Sequence, residues 1–230
     1  MIGIYDYTVI LTYLSLLSAS TGIVVSLAGS GHPFIGCVFL LFCGLCDAFD
    51  GKVARSKKNR TTLEQNFGIQ VDSLSDLVAF GVLPTCIGAA LIRTSPMLNA
   101  SLVVGSWSYR MVQFLLHAVL VLYVLAAMIR LAYFNVTEEE RQRTEGGVRK
   151  TYTGLPVTSA ALIFPMVLLT YAIVPMDFTL IYIGVALITG SLFLSKIQIP
   201  KPGTKGIAAM VLLGVAECIL LLVFRMSGRG

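Results

Sequence analysis

Apolar residues in this chain gather into seven stretches that are long enough, or nearly so, to cross about 30 Å of hydrocarbon at 1.5 Å per residue. They run from Val9 to Gly29, Pro33 to Val53, Phe67 to Ile92, Met111 to Phe134, Leu155 to Val174, Phe178 to Lys196 and Gly206 to Phe224. The short alternating strands of an outer-membrane barrel are absent from this pattern. It therefore predicts an all-α integral membrane protein. The first stretch does not read as a signal peptide, because the residues before it carry Asp6 and no Lys or Arg.

Composition agrees. Of 230 residues, 56% are apolar and 13% charged, with a mean hydropathy of +0.84, where an average soluble domain carries roughly 25% charge. Too few charges exist to cover a soluble enzyme of this size, and the apolar content excludes a disordered chain. The five Cys are scattered through apolar runs, which excludes a disulfide scaffold. The net charge of +5 acquires meaning from its placement. With the N-terminus in the cytoplasm, thirteen of the seventeen Lys and Arg fall at Lys52 to Arg60, Arg130 to Lys150 and Lys196 to Lys205, leaving Arg93, Arg110, Arg225 and Arg229 outside. That positive-inside bias orients the bundle and puts the C-terminus outside. Trp107 and Tyr109 then fall in the external aromatic belt. The run Glu138 to Glu140, mixed with Arg141 and Arg143, reads as a solvated helical face. No soluble domain is evident and no nucleic-acid partner is expected, so the chemistry lies in or beside the membrane.

The informative stretch reads CDAFDGKVARSKKNRTTLEQNFGIQVDSLSDLVAFGVLP, Cys46 to Pro84. Asp47 and Asp50 lie three apart near the cytoplasmic end of span two. Asp72 and Asp76 lie four apart near the start of span three. Those offsets put each pair on one helix face, and a short connection makes the two helices antiparallel neighbours. Four carboxylates are thereby brought to one depth. Each ionised Asp in a membrane helix costs about 2.5 to 3.5 kcal/mol, so four cost on the order of 10 kcal/mol before any discount for depth. Pairing with Lys52 and Arg55 compensates only part, and the remaining mutual repulsion calls for cations. Hard oxygen ligands suit Mg²⁺, Mn²⁺ or Ca²⁺, and a clustered set can hold two ions. Gly51 and Ala54, beside the acids, leave room for a bulky ligand. Arg55 is a candidate phosphate clamp, because its planar fork of donors matches anionic oxygens.

These residues resemble the signature of the CDP-alcohol phosphotransferase family, D-x-x-D-G-x-x-A-R, a spacer, then G-x-x-x-D-x-x-x-D. The matching positions are Asp47, Asp50, Gly51, Ala54, Arg55, Gly68, Asp72 and Asp76. The spacer from Arg55 to Gly68 holds twelve residues, longer than is usual for the family, and reads as an extended surface turn. The flanks FGIQVDSLSDLVAFGVLP, RLAYFNV (Arg130 to Val136) and YTGLPVTSAA (Tyr152 to Ala161) are similar to the phosphatidylserine synthase branch. The likeness covers about Leu11 to Pro200. It implies a six-helix bundle over residues 1–200, with residues 201–230 as an additional C-terminal transmembrane helix. In span one, relatives often carry Asn where this chain has Ser18.

What the resemblance implies is transfer of a phosphatidyl group from CDP-diacylglycerol to the hydroxyl of L-serine, giving phosphatidylserine and CMP at the cytoplasmic face of the membrane. It also implies two divalent ions, Mg²⁺ or Mn²⁺ with Ca²⁺ as another occupant, and a homodimer. Asp47, Asp50, Asp72 and Asp76 carry over as metal ligands, and Asp76 also as the general base toward the serine hydroxyl. Gly51, Ala54, Arg55 and Gly68 carry over as the CDP-lipid pocket. For serine or phosphate, Arg130, Asn135, Lys150 and Tyr152 lie at the cytoplasmic ends of spans four and five. The rival readings are a family member using glycerol phosphate or inositol phosphate, an archaeal ether-lipid counterpart, and a cation transporter. Cys43 and Cys46 read as packing residues in an apolar helix, and His117 as no metal ligand. Glu217, alone in span seven, is the one intramembrane charge that the sequence leaves without a role, a partner subunit being the candidate for what it faces.

Overall fold

A computed structural model describes residues 3–29, 31–101, 105–144, 151–174 and 176–226. The chain enters α1 (Ile10–Leu27) through a 3₁₀ turn at Tyr7–Val9 and returns in α2 (Pro33–Ser56). Pro33 sits in the first turn of α2, where a residue without an N–H costs nothing. Next come α3 (Thr62–Asp76), a π-helical turn at Leu77–Val82, α4 (Leu83–Thr94) and α5 (Pro96–Ser101). Then follow α6 (Trp107–Thr144), β1 (Thr151–Thr153), a 3₁₀ turn at Val157–Ser159, α7 (Ala160–Ile173), α8 (Thr179–Phe193), β2 (Gln198–Pro200) and α9 (Thr204–Met226).

Among the described residues, five helical segments are long and apolar enough to cross a membrane: Tyr7–Leu27, Pro33–Ser56, Thr62–Ala100, Trp107–Arg141 and Thr204–Val223. The fifth and sixth expected spans are shorter, with apolar helices at Val157–Tyr171 and Thr179–Phe193. One end of each helix has a tertiary limit. The segment before α7 pairs with the segment after α8 as an antiparallel ribbon, with Tyr152 opposite Ile199, which bounds the start of α7 and the end of α8. Gly154 makes the bend at φ +76°, and a Cβ there would sit 2.8 Å from the Phe193 carbonyl oxygen. Only glycine fits. Its N–H donates to Ile197 O at 2.8 Å, and that of Leu155 to Leu192 O at 3.1 Å.

The centre of the bundle is aromatic. Tyr123 meets Phe164 edge-on at 5.5 Å, and Phe164 meets Tyr182 at 4.8 Å. The tyrosine hydroxyls reach the π-helical turn and the start of α4: Tyr123 donates to Phe80 O at 2.6 Å and Tyr182 to Pro84 O at 2.8 Å. Pro84 cannot return an N–H to the Phe80 carbonyl four residues back, so the Tyr123 hydroxyl supports that point of the ladder. Tyr123→Phe is expected to lower stability by about 1 to 2 kcal/mol, the cost of leaving a buried carbonyl without this donor. Thermal unfolding in detergent would show it, and an unshifted transition would refute it. On the outside, Phe114, Val121 and Leu122 of α6 are exposed, as suits a helix with lipid for a solvent.

The solvated end of span four differs from a simple loop. The expected helical face after span four forms as the last turns of α6, where Arg141 pairs with Glu138 at 2.6 Å and Arg143 with Glu139 at 2.6 Å. Glu217 of α9 does not face outward to a partner. It is 2% exposed, enclosed because α9 packs against α2 and α7.

Candidate active site

The acidic cluster is built by the turn between α2 and α3. Helix α3 starts at Thr62 because Thr61 and Glu64 form a reciprocal cap: Glu64 N donates to Thr61 Oγ1 at 3.2 Å, and Thr61 N donates to Glu64 Oε2 at 2.7 Å. Lys57, just beyond α2, pairs with Glu64 at 2.7 Å and with Asp6 ahead of α1. Those two carboxylates hold the Lys57 ammonium above its ordinary value, Asp6 most strongly. The Lys57 hydrogen bond in turn holds the Asp6 carboxyl below the usual carboxylate range. One lysine thus ties the start of the chain and the start of α3 to the end of α2.

With the helices so fixed, Asp50 of α2 and Asp72 of α3 line one cavity across the pair. Asp47 and Asp76 lie within electrostatic reach of them. Asp50 and Asp76 are buried, each 9% exposed, and Asp47 and Asp72 are half-buried. The position of Asp76 is firm, since the neighbouring Ser75 donates to Thr12 O of α1 at 3.1 Å. Among the described residues, no Lys or Arg forms an ion pair with any of the four. An oxygen-only, uncompensated acidic set is the donor chemistry that a hard divalent cation requires. As the side chains stand, no three His, Cys, Asp or Glu among the described residues close on one point, so forming a ligand shell takes rotation of the carboxylates.

A cavity of about 190 Å³ opens beside the acids. Asp50, Gly51, Ala54 and Arg55 of α2 line it, with Gly68, Ile69 and Asp72 of α3. All four residues expected to make a CDP-lipid pocket therefore border one space. The glycines act less directly than expected, because a Cβ on Gly51 would lie 3.1 Å from Arg55 Nη1 and one on Gly68 would lie 2.7 Å from Arg60 Nη2. They clear room for guanidinium groups. Arg60, Gln65, Thr8 and Thr12 also line the cavity and escaped the motif reading. Arg60 belongs to the long spacer, and the T-x-x-E cap after it was the available signal that α3 begins early enough to fold the spacer back over its own first turns.

The residues proposed for serine lie outside this cavity's lining. Arg130 is buried at 6% exposure, donates to Leu155 O at 3.2 Å and lies over Phe134 at 5.3 Å. Phe134 also meets the Tyr152 ring at 5.9 Å. Asn135 donates to Ser73 Oγ at 2.6 Å, which fastens α6 beside Asp72. Lys150 lies outside the described residues. Ser18 packs α1 on α2, its hydroxyl donating to Phe39 O at 3.0 Å. Cys43 is buried with its thiol on Ser15 O at 3.3 Å, in keeping with a packing role, and His117 bonds Gln113 O at 2.7 Å.

Residues 8–192 match the family model described as CDP-alcohol phosphatidyltransferase. The chain belongs to this family. It is generally dependent on divalent metal, and its members are phosphotransferases of the membrane. The chain is 33% identical over 191 residues to the archaetidylserine synthase of Methanothermobacter thermautotrophicus, covering 82% of this chain and 68% of that protein. It is 32% identical over 165 residues to the CDP-diacylglycerol--serine O-phosphatidyltransferase of Saccharomyces cerevisiae, covering 67% of this chain and 51% of that one. The Methanocaldococcus jannaschii protein of the same name is 26% identical over 205 residues, 87% of this chain and 78% of that one. The chain thus spans about half the length of the yeast relative. No solved structure matches it.

Proposed function

We propose that this protein is a phosphatidylserine synthase that transfers a phosphatidyl group from CDP-diacylglycerol to the hydroxyl of L-serine, releasing CMP. The observation that carries this reading is the cavity itself: opposed carboxylates of α2 and α3 share a wall with three small residues and two arginines, and the named relatives act on a CDP-lipid and serine. Asp47, Asp50, Asp72 and Asp76 are the residues to hold two divalent ions, Mg²⁺ or Mn²⁺ with Ca²⁺ as another occupant, whose chemistry when bound is neutralisation of the diphosphate charge. Arg55 binds a diphosphate oxygen through its fork. Asp76 accepts the proton from the serine hydroxyl as its oxygen attacks phosphorus and the bond to CMP breaks. Gly51, Ala54 and Gly68 keep the cavity open to the nucleotide.

Serine is read by Arg130 through its carboxylate, with Asn135 and Tyr152 holding the surrounding surfaces of α6 and β1, and with Lys150 as a second cation. Arg130→Ala is expected to raise the KM for serine at least roughly tenfold, the loss of one charge-assisted hydrogen-bonded contact, with less effect on the KM for CDP-lipid. An unchanged serine dependence would remove Arg130 from this role. The active site faces the cytoplasm, where the basic loops lie, the enzyme works as a homodimer, and residues 201–230 form a span added to the six-helix unit. The identity to an archaetidylserine synthase favours a second reading, in which the donor carries ether-linked chains. CMP release by purified protein, from diacyl and ether CDP-lipids and with serine, glycerol 3-phosphate or inositol phosphate in turn, tests both. Serine-independent or absent release refutes the assignment.

A further inference from the structure

We infer that Arg60 is the specificity residue for the nucleoside, donating to the O2 and N3 acceptor edge of cytosine. The inference rests on reading the cavity as the CDP-lipid site and names a contact within it.

Arg60 stands in the twelve-residue spacer, outside the family signature, yet its side chain lines the cavity. It is held from two sides: Nη1 donates to Ala54 O at 3.5 Å on α2, and Nη2 to Glu64 O at 3.1 Å on α3. Gln65 Nε2 donates to the Arg60 carbonyl at 3.3 Å. The Nε atom is buried and has no protein acceptor. A guanidinium carries five N–H donors, so with two engaged it keeps an edge free, and a buried donor without an acceptor is unfavourable. Gly68 provides the space, as a Cβ there would meet Nη2 at 2.7 Å.

Placement along the helices decides which part of the ligand this edge meets. Ala54 and Gly68 are each four residues nearer the α2–α3 turn than Asp50 and Asp72, roughly 6 Å at helical rise. Arg55 folds its guanidinium back along α2, 3.1 Å from where a Cβ on Gly51 would lie, so with the diphosphate at the carboxylates and against that guanidinium the neighbourhood of Arg60 receives the nucleoside. Cytosine offers two adjacent acceptors, O2 and N3, to a fork of donors. Uracil has N–H at N3 and cannot accept there. A bidentate pair of this type discriminates between bases by roughly tenfold or more.

Binding of CMP and of UMP to the full-length protein in detergent, measured by titration calorimetry without serine, tests the inference. Wild type is expected to bind CMP at least roughly tenfold tighter than UMP, and Arg60→Gln and Arg60→Lys are both expected to bring that ratio close to one. In turnover, both variants raise the KM for CDP-lipid by a larger factor than they lower kcat. Lysine keeps the charge without the fork, so a lysine variant that retains the wild-type CMP preference overturns the inference in favour of a charge contact. It also fails if wild type does not distinguish the two nucleotides. Should Arg60→Gln not fold, the lysine variant alone decides. Absence of serine-dependent CMP release alongside a lost CMP preference would refute the assigned reaction and leave this contact standing.

Discussion

Asp76→Asn is expected to cut serine-dependent CMP release by about 10² to 10⁴-fold, the typical contribution of a positioned general base. The amide is close in size to the carboxyl and sits where the backbone is fixed by the Ser75 bond to Thr12, so the fold should survive. It cannot take the serine proton, because its nitrogen has no available lone pair for one. It also withdraws one negative charge from the cluster, which weakens metal retention. Rates measured at saturating serine, CDP-lipid and Mg²⁺ separate these effects: a defect that raised metal restores reports ligation, and one that persists reports the lost base. Activity within threefold of wild type would remove Asp76 from the reaction.

Chelation is the second large effect. With EDTA in excess, CMP release is expected to fall to background and to return on adding Mg²⁺ or Mn²⁺, because four carboxylates with no ion-paired Lys or Arg among the described residues hold a diphosphate only with cations between them. Stability gives a readout independent of turnover. An ion that binds only the folded chain adds about 2.7 kcal/mol at a hundred times its Kd, so thermal unfolding should shift upward with Mg²⁺ or Mn²⁺. Asp50→Asn, which removes one of the two carboxylates that line the cavity, should need more metal for the same shift. Full activity in chelator would exclude the acidic cluster as a metal centre.

The seven apolar stretches, their order and the opposition of the two acidic pairs were legible in the chain, because a helix in lipid must be apolar along its length and a carboxylate there stands out against it. Offsets of three and four residues put Asp47 with Asp50 and Asp72 with Asp76 on single faces with no reference to the rest of the molecule. Less legible were the short fifth and sixth helices. The start of the one and the end of the other are bounded by pairing between Thr151–Thr153 and Gln198–Pro200, residues about fifty apart whose meeting no local pattern announces. Glu217 was illegible for a similar reason: a lone acid in an apolar helix carries no local sign of its surroundings, and the packing of α9 on α2 and α7 is what encloses it.

Arg60 divides the two kinds of information most sharply. Local sequence determines where α3 begins, through the Thr61 and Glu64 cap, and determines that Asp72 and Asp76 share a face. Whether an arginine in a polar spacer turns to water or into the site depends on carbonyls from two different helices, Ala54 O and Glu64 O, and on the missing side chain of Gly68. Periodicity and burial cost act between neighbours in the chain, so the sequence by itself determined the membrane helices and the acidic faces. Cavity lining, the ribbon that bounds α7 and α8, and the burial of Glu217 arise from contacts between residues far apart in sequence, and these only the tertiary structure decided.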